Sequence, residues 1–275
     1  MIDFIAEIGS NFVTGNKPSK ERALALIRSA AQHGATAVKF QLIRADKLYR
    51  DLAMVDALRP MELPVEWLPE IKKTCDFEGV EFLCSPFYEE AVEILMPYVE
   101  RWKIASWELS EVGNVNPVIK AIADTKMPVI MSTGGATLEE VEFALDLFDN
   151  MEDVVLMHCN PAYPTNPENA DLRHLLTLGS EFFPVQLGFS CHIPNQVIAA
   201  GSVLYQAETI EVHYDLEDRL GVESAHSFSP NMFAEMVNLA NMIEKAMKGT
   251  AKSGDVAFSR KNYRKDPSDW LRGVK

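Results

Sequence analysis

Short apolar runs recur along the chain, and almost every one closes on a polar residue. They are Phe4–Glu7, Ala37–Gln41, Glu81–Ser85, Arg101–Glu108, Val129–Ser132, Val154–Asn160, Leu187–His192 and Thr209–His213. Continuous apolar runs of this length fit strands of a parallel sheet covered on both faces. The segments between them carry apolar residues at helical spacing. In Ser19–His33, Ala23, Leu24, Leu26, Ile27 and Ala30 share one face, Ser19 is placed to cap the start and Gly34 to end the helix. Further helices are expected over Pro64–Glu78, after an insertion around Leu48–Met61, and over Glu89–Val99, Val115–Thr125, Leu138–Phe148 with Thr137 as cap, Leu172–Phe183, Asn195–Gln206 and Pro230–Met247. Eight strands alternating with eight helices predict an α/β protein of the (β/α)8 TIM-barrel class over residues 1–248, followed by a short basic C-terminal tail over 249–275. In such a barrel the C-terminal strand ends converge on one face, which is where active sites form.

Composition changes this picture little. At 275 residues, with 47% hydrophobic and 24% charged residues, the chain suits one barrel with a full core. A net charge of −14 argues against non-specific nucleic-acid binding. No apolar run reaches the roughly 18 residues of a membrane span, and the N-terminus lacks the basic and apolar regions of a signal peptide. Cys75, Cys84, Cys159 and Cys191 show no CxxC spacing, so a reduced, cytoplasmic setting is the expectation. In the tail, Phe258, Tyr263 and Trp270 offer a means of docking on the barrel.

The strand ends carry the candidate chemistry. His192 and His213 close consecutive strands, and neighbouring strands lie about 5 Å apart, so the two imidazoles are placed to share a divalent ion. A lone strand-end histidine reads more simply as structural; the pair is the argument. His33, His174 and His226 read as surface residues, and His158 as intermediate. Lys39 and Lys103 end buried strands, where an unpaired ammonium is costly, so each needs a carboxylate such as Glu7 or Glu108, or an anionic ligand. Ser85, Ser106, Ser132 and Ser190 set hydroxyls at the same level, and Thr133-Gly134-Gly135 leads into a helix with backbone N–H groups for an anion. Together these point to a phosphate or carboxylate site. Glu7 is a candidate acid/base or an ion-pair partner for a lysine.

At these residues the chain resembles the sialic acid synthase (N-acetylneuraminate synthase) family. The matching motifs are Ala6-Glu7-Ile8-Gly9-Ser10-Asn11, Val38-Lys39-Phe40-Gln41, Ser85-Pro86-Phe87, Lys103-Ile104-Ala105-Ser106 with Glu108, and Ser132-Thr133-Gly134. His158-Cys159 with Tyr163-Pro164-Thr165, Gly188-Phe189-Ser190 with His192, and Glu211 with His213 complete them, in family order over about residues 4–247. The resemblance implies a (β/α)8 barrel that condenses phosphoenolpyruvate with an N-acylated aldose, giving a nonulosonic acid and phosphate. It implies that Lys39, Ser85, Lys103, Ser106, Ser132 and Ser190 hold phosphoenolpyruvate. It places Glu7, Glu108 and Tyr163 toward the sugar, with Gln41, Asn160 and Glu223 among the substrate contacts. His192 and His213 would hold the metal, Mn2+ or Mg2+, and a homodimer is the family-level expectation.

The chain departs from the family pattern at Phe12, Asn160-Pro161, Cys191, Val212, Tyr214 and Gly221-Val222-Glu223. At Cys191 the family's carboxylate beside the metal-binding histidine is missing. The family's C-terminal antifreeze-like domain, which contributes an arginine to the partner subunit's sugar pocket, is not seen either. A different acceptor, a separate partner chain, or substitution by Arg260, Arg264 or Arg272 of the tail are the readings this opens. Three rivals stand beside the synthase: phosphoenolpyruvate chemistry on another aldehyde or a sugar phosphate, a Schiff-base aldolase using Lys39 or Lys103, and a non-catalytic ligand-binding barrel.

Overall fold

The computed structural model describes residues 2–109 and 112–249. Eight parallel strands form a nearly closed barrel. They are β1 (Asp3–Gly9), β2 (Ala37–Leu42), β3 (Glu81–Pro86), β4 (Trp102–Ile104), β5 (Val129–Ser132), β6 (Val154–Cys159), β7 (Gln186–Cys191) and β8 (Thr209–His213). The ladder runs β3-β2-β1-β8-β7-β6-β5-β4. At the β3/β4 seam Arg101 grips Glu81, its Nε 2.9 and 3.0 Å and its Nη2 2.7 Å from the carboxylate oxygens, and also reaches Asp3. Among the described residues no helix is long and apolar enough to cross a membrane.

The helices around the barrel are α1 (Lys20–Gln32), α2 (Leu68–Glu78), α3 (Glu90–Leu95), α4 (Pro117–Asp124), α5 (Leu138–Leu145), α6 (His174–Glu181), α7 (Gln196–Gly201) and α8 (Pro230–Met247). Their starts follow the expected chemistry. Ser19 Oγ accepts from Arg22 N–H at 3.2 Å, and Thr137 forms a capping box with Glu140. Most helices are shorter than the sequence pattern suggests, and at two of them the expected end is a 3-10 turn, Val65–Trp67 before α2 and Ser202–Tyr205 after α7. The insertion before α2 is itself helical, with short helices over Ala45–Leu48 and Leu52–Leu58.

Two-residue periodicity divides the barrel strands into two faces. Outward residues, including Phe4, Val38, Phe40, Phe82, Trp102, Met131, Leu156, Phe189 and Ile210, join the helices in one large core. Inward residues Ile5, Ala37, Leu83, Ile130, Val155 and Met157 form a separate apolar plug inside the barrel. Two positions further on, the same inward face changes character. Ile5 is followed by Glu7, Ala37 by Lys39, Leu83 by Ser85, Ile130 by Ser132, and Met157 by Cys159. The plug is therefore the floor on which the polar site sits.

Several departures from the family pattern turn out to be packing. Phe12 is fully buried against Trp67 and Phe40, with ring centroids 5.8 and 6.4 Å away. Val212 and Cys191 face outward into the core. Tyr214 is buried edge-on to Phe233, and its hydroxyl lies 2.7 Å from Ser29 Oγ.

Strand four is the main difference from expectation. It ends at Ile104, and Ser106–Glu108 is a 3-10 turn. Residues 250–275, with Phe258, Arg260, Tyr263, Arg264, Trp270 and Arg272, lie outside the described residues.

Candidate active site

The C-terminal strand ends enclose a cavity of about 320 Å3. Its lining includes Lys39, Gln41, Lys103, Ser106, Ser132, Tyr163, Ser190, His192, His213 and Glu223, all singled out from sequence. It also includes Phe87, Trp107, Cys159, Glu211 and His226.

Four buried charges form its base. Lys39 Nζ lies 2.5 Å from Glu7 Oε2 and 3.7 Å from Glu211 Oε2, and Lys103 Nζ lies 3.4 Å from Glu211 Oε1. Register explains the grouping, because Glu7 is paired across the ladder with both Lys39 and His213. Burial pulls the Lys39 ammonium down, but Glu211 and Glu7 outweigh it and hold it above the ordinary lysine range. For Lys103 burial prevails over Glu211, with Lys39 adding to the fall, and its pKa is lowered. Glu211 is the reverse case. Burial would raise it, but Lys103 and Lys39 together hold it at about 2. Burial pushes Glu7 up against the pull of Lys39, and Glu211 adds to the rise.

Hydroxyls and an amide bind these charges in place. Lys103 Nζ donates to Ser132 Oγ at 2.8 Å, Ser190 Oγ donates to Glu211 Oε1 at 3.0 Å, and Gln41 Nε2 donates to Glu7 Oε1 at 2.9 Å. The fully buried Ser85 Oγ finds no hydrogen-bond partner among the described residues. A buried hydroxyl left open in this way suits an oxygen of a ligand or a water.

The metal candidates stand on the β7–β8 side. The His192 and His213 rings lie edge to face with centroids 5.7 Å apart. His192 Nδ1 sits 2.6 Å from the Asn160 carbonyl oxygen, and its Nε2 sits 3.3 Å from Ser190 Oγ. Burial, with a contribution from His213, lowers His192 to about 3. Burial also works against a charged His213, but its 2.8 Å bond to Glu223 prevails and raises its pKa. A carboxylate does therefore stand beside a candidate metal-binding histidine; it comes from the loop after β8 and serves His213. Tyr163 stacks on His192 with centroids 4.0 Å apart.

Glu223 is held by a close approach. Its Oε1 accepts from Ser10 N–H at 3.0 Å, and its own N–H donates to Asn11 Oδ1 at 2.8 Å. Gly9 has φ +52, and a Cβ there would run into the Glu223 carboxylate; one at Gly221 would meet the Asn11 side chain. The whole loop hangs on buried polar groups. Asn11 Nδ2 donates to Tyr214 O and Ser227 Oγ, both at 2.9 Å, and Asp215, paired with Arg22 at 2.6 Å, accepts from Gly221 N–H at 3.0 Å.

Four expected site residues do not line the cavity, and one of them, Glu7, is buried against Lys39 and Gln41. The 3-10 turn after β4 carries Glu108 out of the cavity lining, where Asn116 Nδ2 donates to its carboxylate at 2.9 Å. Asn160 offers its backbone carbonyl to His192, while its side chain bonds Ala162 N–H and the Asn169 carbonyl within its own loop. Ser85 is fully buried and stands outside the cavity lining. The Thr133-Gly134-Gly135 anion reading also weakens: Thr133 N–H is spent on Met157 O at 3.0 Å, and the helix start is closed by its own capping box.

Glu211 and His226 line the cavity but received no role in it from the sequence. Glu211 had a signal, since it precedes His213 by two positions and shares its inward strand face. His226, read as a surface residue, lines the cavity, and no local pattern marks it. His158, an outward residue, bonds the Ala170 carbonyl at 3.0 Å and stays away from the cavity.

Comparison with known proteins gives a consistent result. A family model described as the NeuB family matches residues 26–252. The spore coat polysaccharide biosynthesis protein SpsE of Bacillus subtilis is 30% identical over 261 residues, covering 89% of this chain and 68% of that protein. A pseudaminic acid synthase of Campylobacter jejuni (strain 81-176) is 30% identical over 262 residues, covering 88% of this chain and 74% of the synthase. Among solved structures, the N-acetylneuraminic acid synthetase of Leptospira borgpetersenii superposes with a TM-score of 0.83 at 26% identity, covering 98% of this chain and 90% of that one.

Proposed function

The chain belongs to the NeuB family, and on that premise we propose that it condenses phosphoenolpyruvate with an N-acylmannosamine-like aldose to give a nonulosonic acid and inorganic phosphate. The observation that carries this reading is the pair of buried lysines at the barrel mouth, with the Ser132 and Ser190 hydroxyls on the same cavity lining. Such a base binds a small, highly charged anion and has little use for a neutral ligand. Lys103, whose only carboxylate within ion-pair distance among the described residues is Glu211 at 3.4 Å, is the group with most to gain from the substrate's phosphate or carboxylate.

In this reading C3 of phosphoenolpyruvate attacks the open-chain aldehyde, water adds at C2, and the tetrahedral species expels phosphate. Lys39 and Lys103 fix the anion in a dry, preorganised base, where such contacts count most. Glu7, whose oxygens are taken by Lys39 and Gln41, steadies the Lys39 ammonium in its charged form. The imidazole and carboxylate donors around His213 fit a divalent ion, and a bound ion supplies a Lewis acid that polarises the aldehyde.

The acceptor side favours a variation on this theme: the same chemistry on a different aldehyde. Both Glu223 oxygens are engaged, by Ser10 N–H and by His213, which leaves them poorly free for sugar hydroxyls. Trp107, 74% exposed on the cavity lining, presents an aromatic face instead. Trp107→Ala is expected to raise KM for the acceptor roughly fivefold, from the loss of about 1 kcal/mol of aromatic packing, with KM for phosphoenolpyruvate little changed. Equal effects on both substrates would remove Trp107 from the acceptor side.

The direct test is phosphate release from phosphoenolpyruvate with Mn2+ across N-acetylmannosamine, its 6-phosphate, diacetamido sugars and unacylated aldoses. Release that depends on one aldose supports the synthase and names its acceptor class. No release with any of them, while phosphoenolpyruvate still binds, sinks it in favour of a ligand-binding barrel.

A further inference from the structure

Two of the three histidines on the cavity lining have a ring nitrogen tied to the protein. His192 Nδ1 sits 2.6 Å from the Asn160 carbonyl oxygen, and His213 Nδ1 sits 2.8 Å from Glu223 Oε2. The third, His226, is half-buried, and no hydrogen bond among the described residues engages its ring nitrogens. Other rings hold it instead. It meets Tyr163 with centroids 5.1 Å apart and His213 with centroids 4.6 Å apart, both edge to face. Contacts of this kind fix the plane of a ring. A neutral imidazole carries one N–H donor and one bare nitrogen acceptor. A hydroxyl, which both donates and accepts, can answer either.

The backbone beneath His226 is built to hold a shape. Ser224–His226 is a 3-10 turn in which His226 N–H donates to the Glu223 carbonyl at 3.2 Å. Ser227, the next residue, is buried; its Oγ accepts from Asn11 Nδ2 at 2.9 Å and donates to the Glu223 carbonyl at 2.8 Å. A side chain carried on so fixed a turn gives up little freedom when it binds. The other polar group of this loop is already occupied, since the Glu223 carboxylate accepts from Ser10 N–H and meets His213. The two lysines stand away from this wall, at the cavity base beside Glu7 and Glu211. An aldose with its aldehyde end at His213 brings its hydroxyls past the neighbouring ring, and that ring is His226.

Resting on the condensation reading above, we propose that His226 is a specificity-determining residue of the acceptor side, whose imidazole hydrogen-bonds one hydroxyl of the aldose and so sets which aldose is preferred. The contact belongs to the sugar alone, because Lys39 and Lys103 at the base answer the charge of phosphoenolpyruvate. Loss of the His226 nitrogens therefore weakens the acceptor and spares the other substrate. It also abolishes the discrimination between an aldose that carries the contacted hydroxyl and one that lacks it.

The test is phosphate release by the full chain with Mn2+, for wild type and His226→Phe, on N-acetylmannosamine and its 3-, 4- and 6-deoxy analogues. Phenylalanine keeps a ring against Tyr163 and removes both nitrogens. His226→Phe should raise KM for N-acetylmannosamine about fivefold, the scale of one neutral hydrogen bond. KM for phosphoenolpyruvate and the Mn2+ activation constant should stay within about twofold. One deoxy analogue should cost the wild type a similar factor and cost the variant nothing further, which is the signature of a direct pair. Melting temperatures show whether His226→Phe folds, and His226→Ala takes its place if it does not. Three results overturn the proposal: an unchanged acceptor KM in the variant, an equal rise in KM for phosphoenolpyruvate or in the Mn2+ requirement, or deoxy penalties that all persist in full. The synthase reading falls separately, if the wild type releases no phosphate with any aldose. Saturation-transfer spectroscopy of N-acetylmannosamine on the phosphoenolpyruvate-loaded chain then decides the matter. Weaker binding in His226→Phe supports the contact; equal binding, or none in the wild type, removes it.

Discussion

Lys103→Met is expected to lower kcat/KM for phosphoenolpyruvate by about a thousandfold, the scale of losing one charged, desolvated donor from a preorganised site. Methionine keeps much of the side-chain length and packs against apolar surroundings, so the loss reports charge more than volume. Lys103 is 3% exposed, donates to Ser132 and lines the cavity. Burial lowers its pKa in the free protein, and an anion bound beside it would raise it again. Between those two values binding takes up a proton, so affinity for phosphoenolpyruvate should weaken as pH rises through that window. In the methionine variant this part of the pH dependence should vanish. Lys103→Arg should not rescue, because a planar guanidinium does not fit the point-charge role of a buried ammonium. Initial rates against phosphoenolpyruvate at a series of pH values, with calorimetry for binding, check this. Unchanged kcat and KM would take Lys103 out of the anion site.

Glu211→Gln should produce the largest change in stability. Among the described residues Glu211 is the one carboxylate within 4 Å of both Lys39 and Lys103, and Ser190 donates to it. Removing its charge leaves two buried ammonium groups with only Glu7 beside them, a loss of the order of 3–5 kcal/mol. For a domain of this size that corresponds to a fall in Tm of about 10 °C. An anion replaces the missing charge, so phosphate or phosphoenolpyruvate should recover part of the Tm in the variant and shift the wild type less. The pH sign follows from the depressed carboxylate. Its folded pKa of about 2 lies below the ordinary 4.5, so the stability it contributes is present above about 4.5 and is lost as pH falls toward 2. The Tm gap between wild type and variant should narrow over that range. Equal melting temperatures at neutral pH would show that the four charges do not depend on one another.

How far the site could be read from the chain differs residue by residue. Lys39, Ser132, Ser190 and His213 lie on strands whose inward face is set by the period of two, and the plug residues beneath them continue the same alternation. Glu211 obeyed that rule too and was legible on the same grounds. Glu108 was misplaced because the strand pattern was carried past Ile104, where a 3-10 turn replaces the alternation and sends the side chain to Asn116. The departures at Phe12, Cys191, Val212 and Tyr214 look like changes of chemistry in sequence and are core packing in the fold, since each faces away from the cavity.

His226 marks the limit most clearly. Its position depends on Asn11, which bonds Ser227 across 216 residues, and on Arg22, which pairs with Asp215 across 193. The sequence by itself determined the barrel, its polar face and the buried lysines, because strand periodicity is a local property written in neighbouring residues. Only the tertiary structure decided that His226 joins the cavity lining, because a loop's geometry is set by buried hydrogen bonds to distant segments, and no local pattern encodes those.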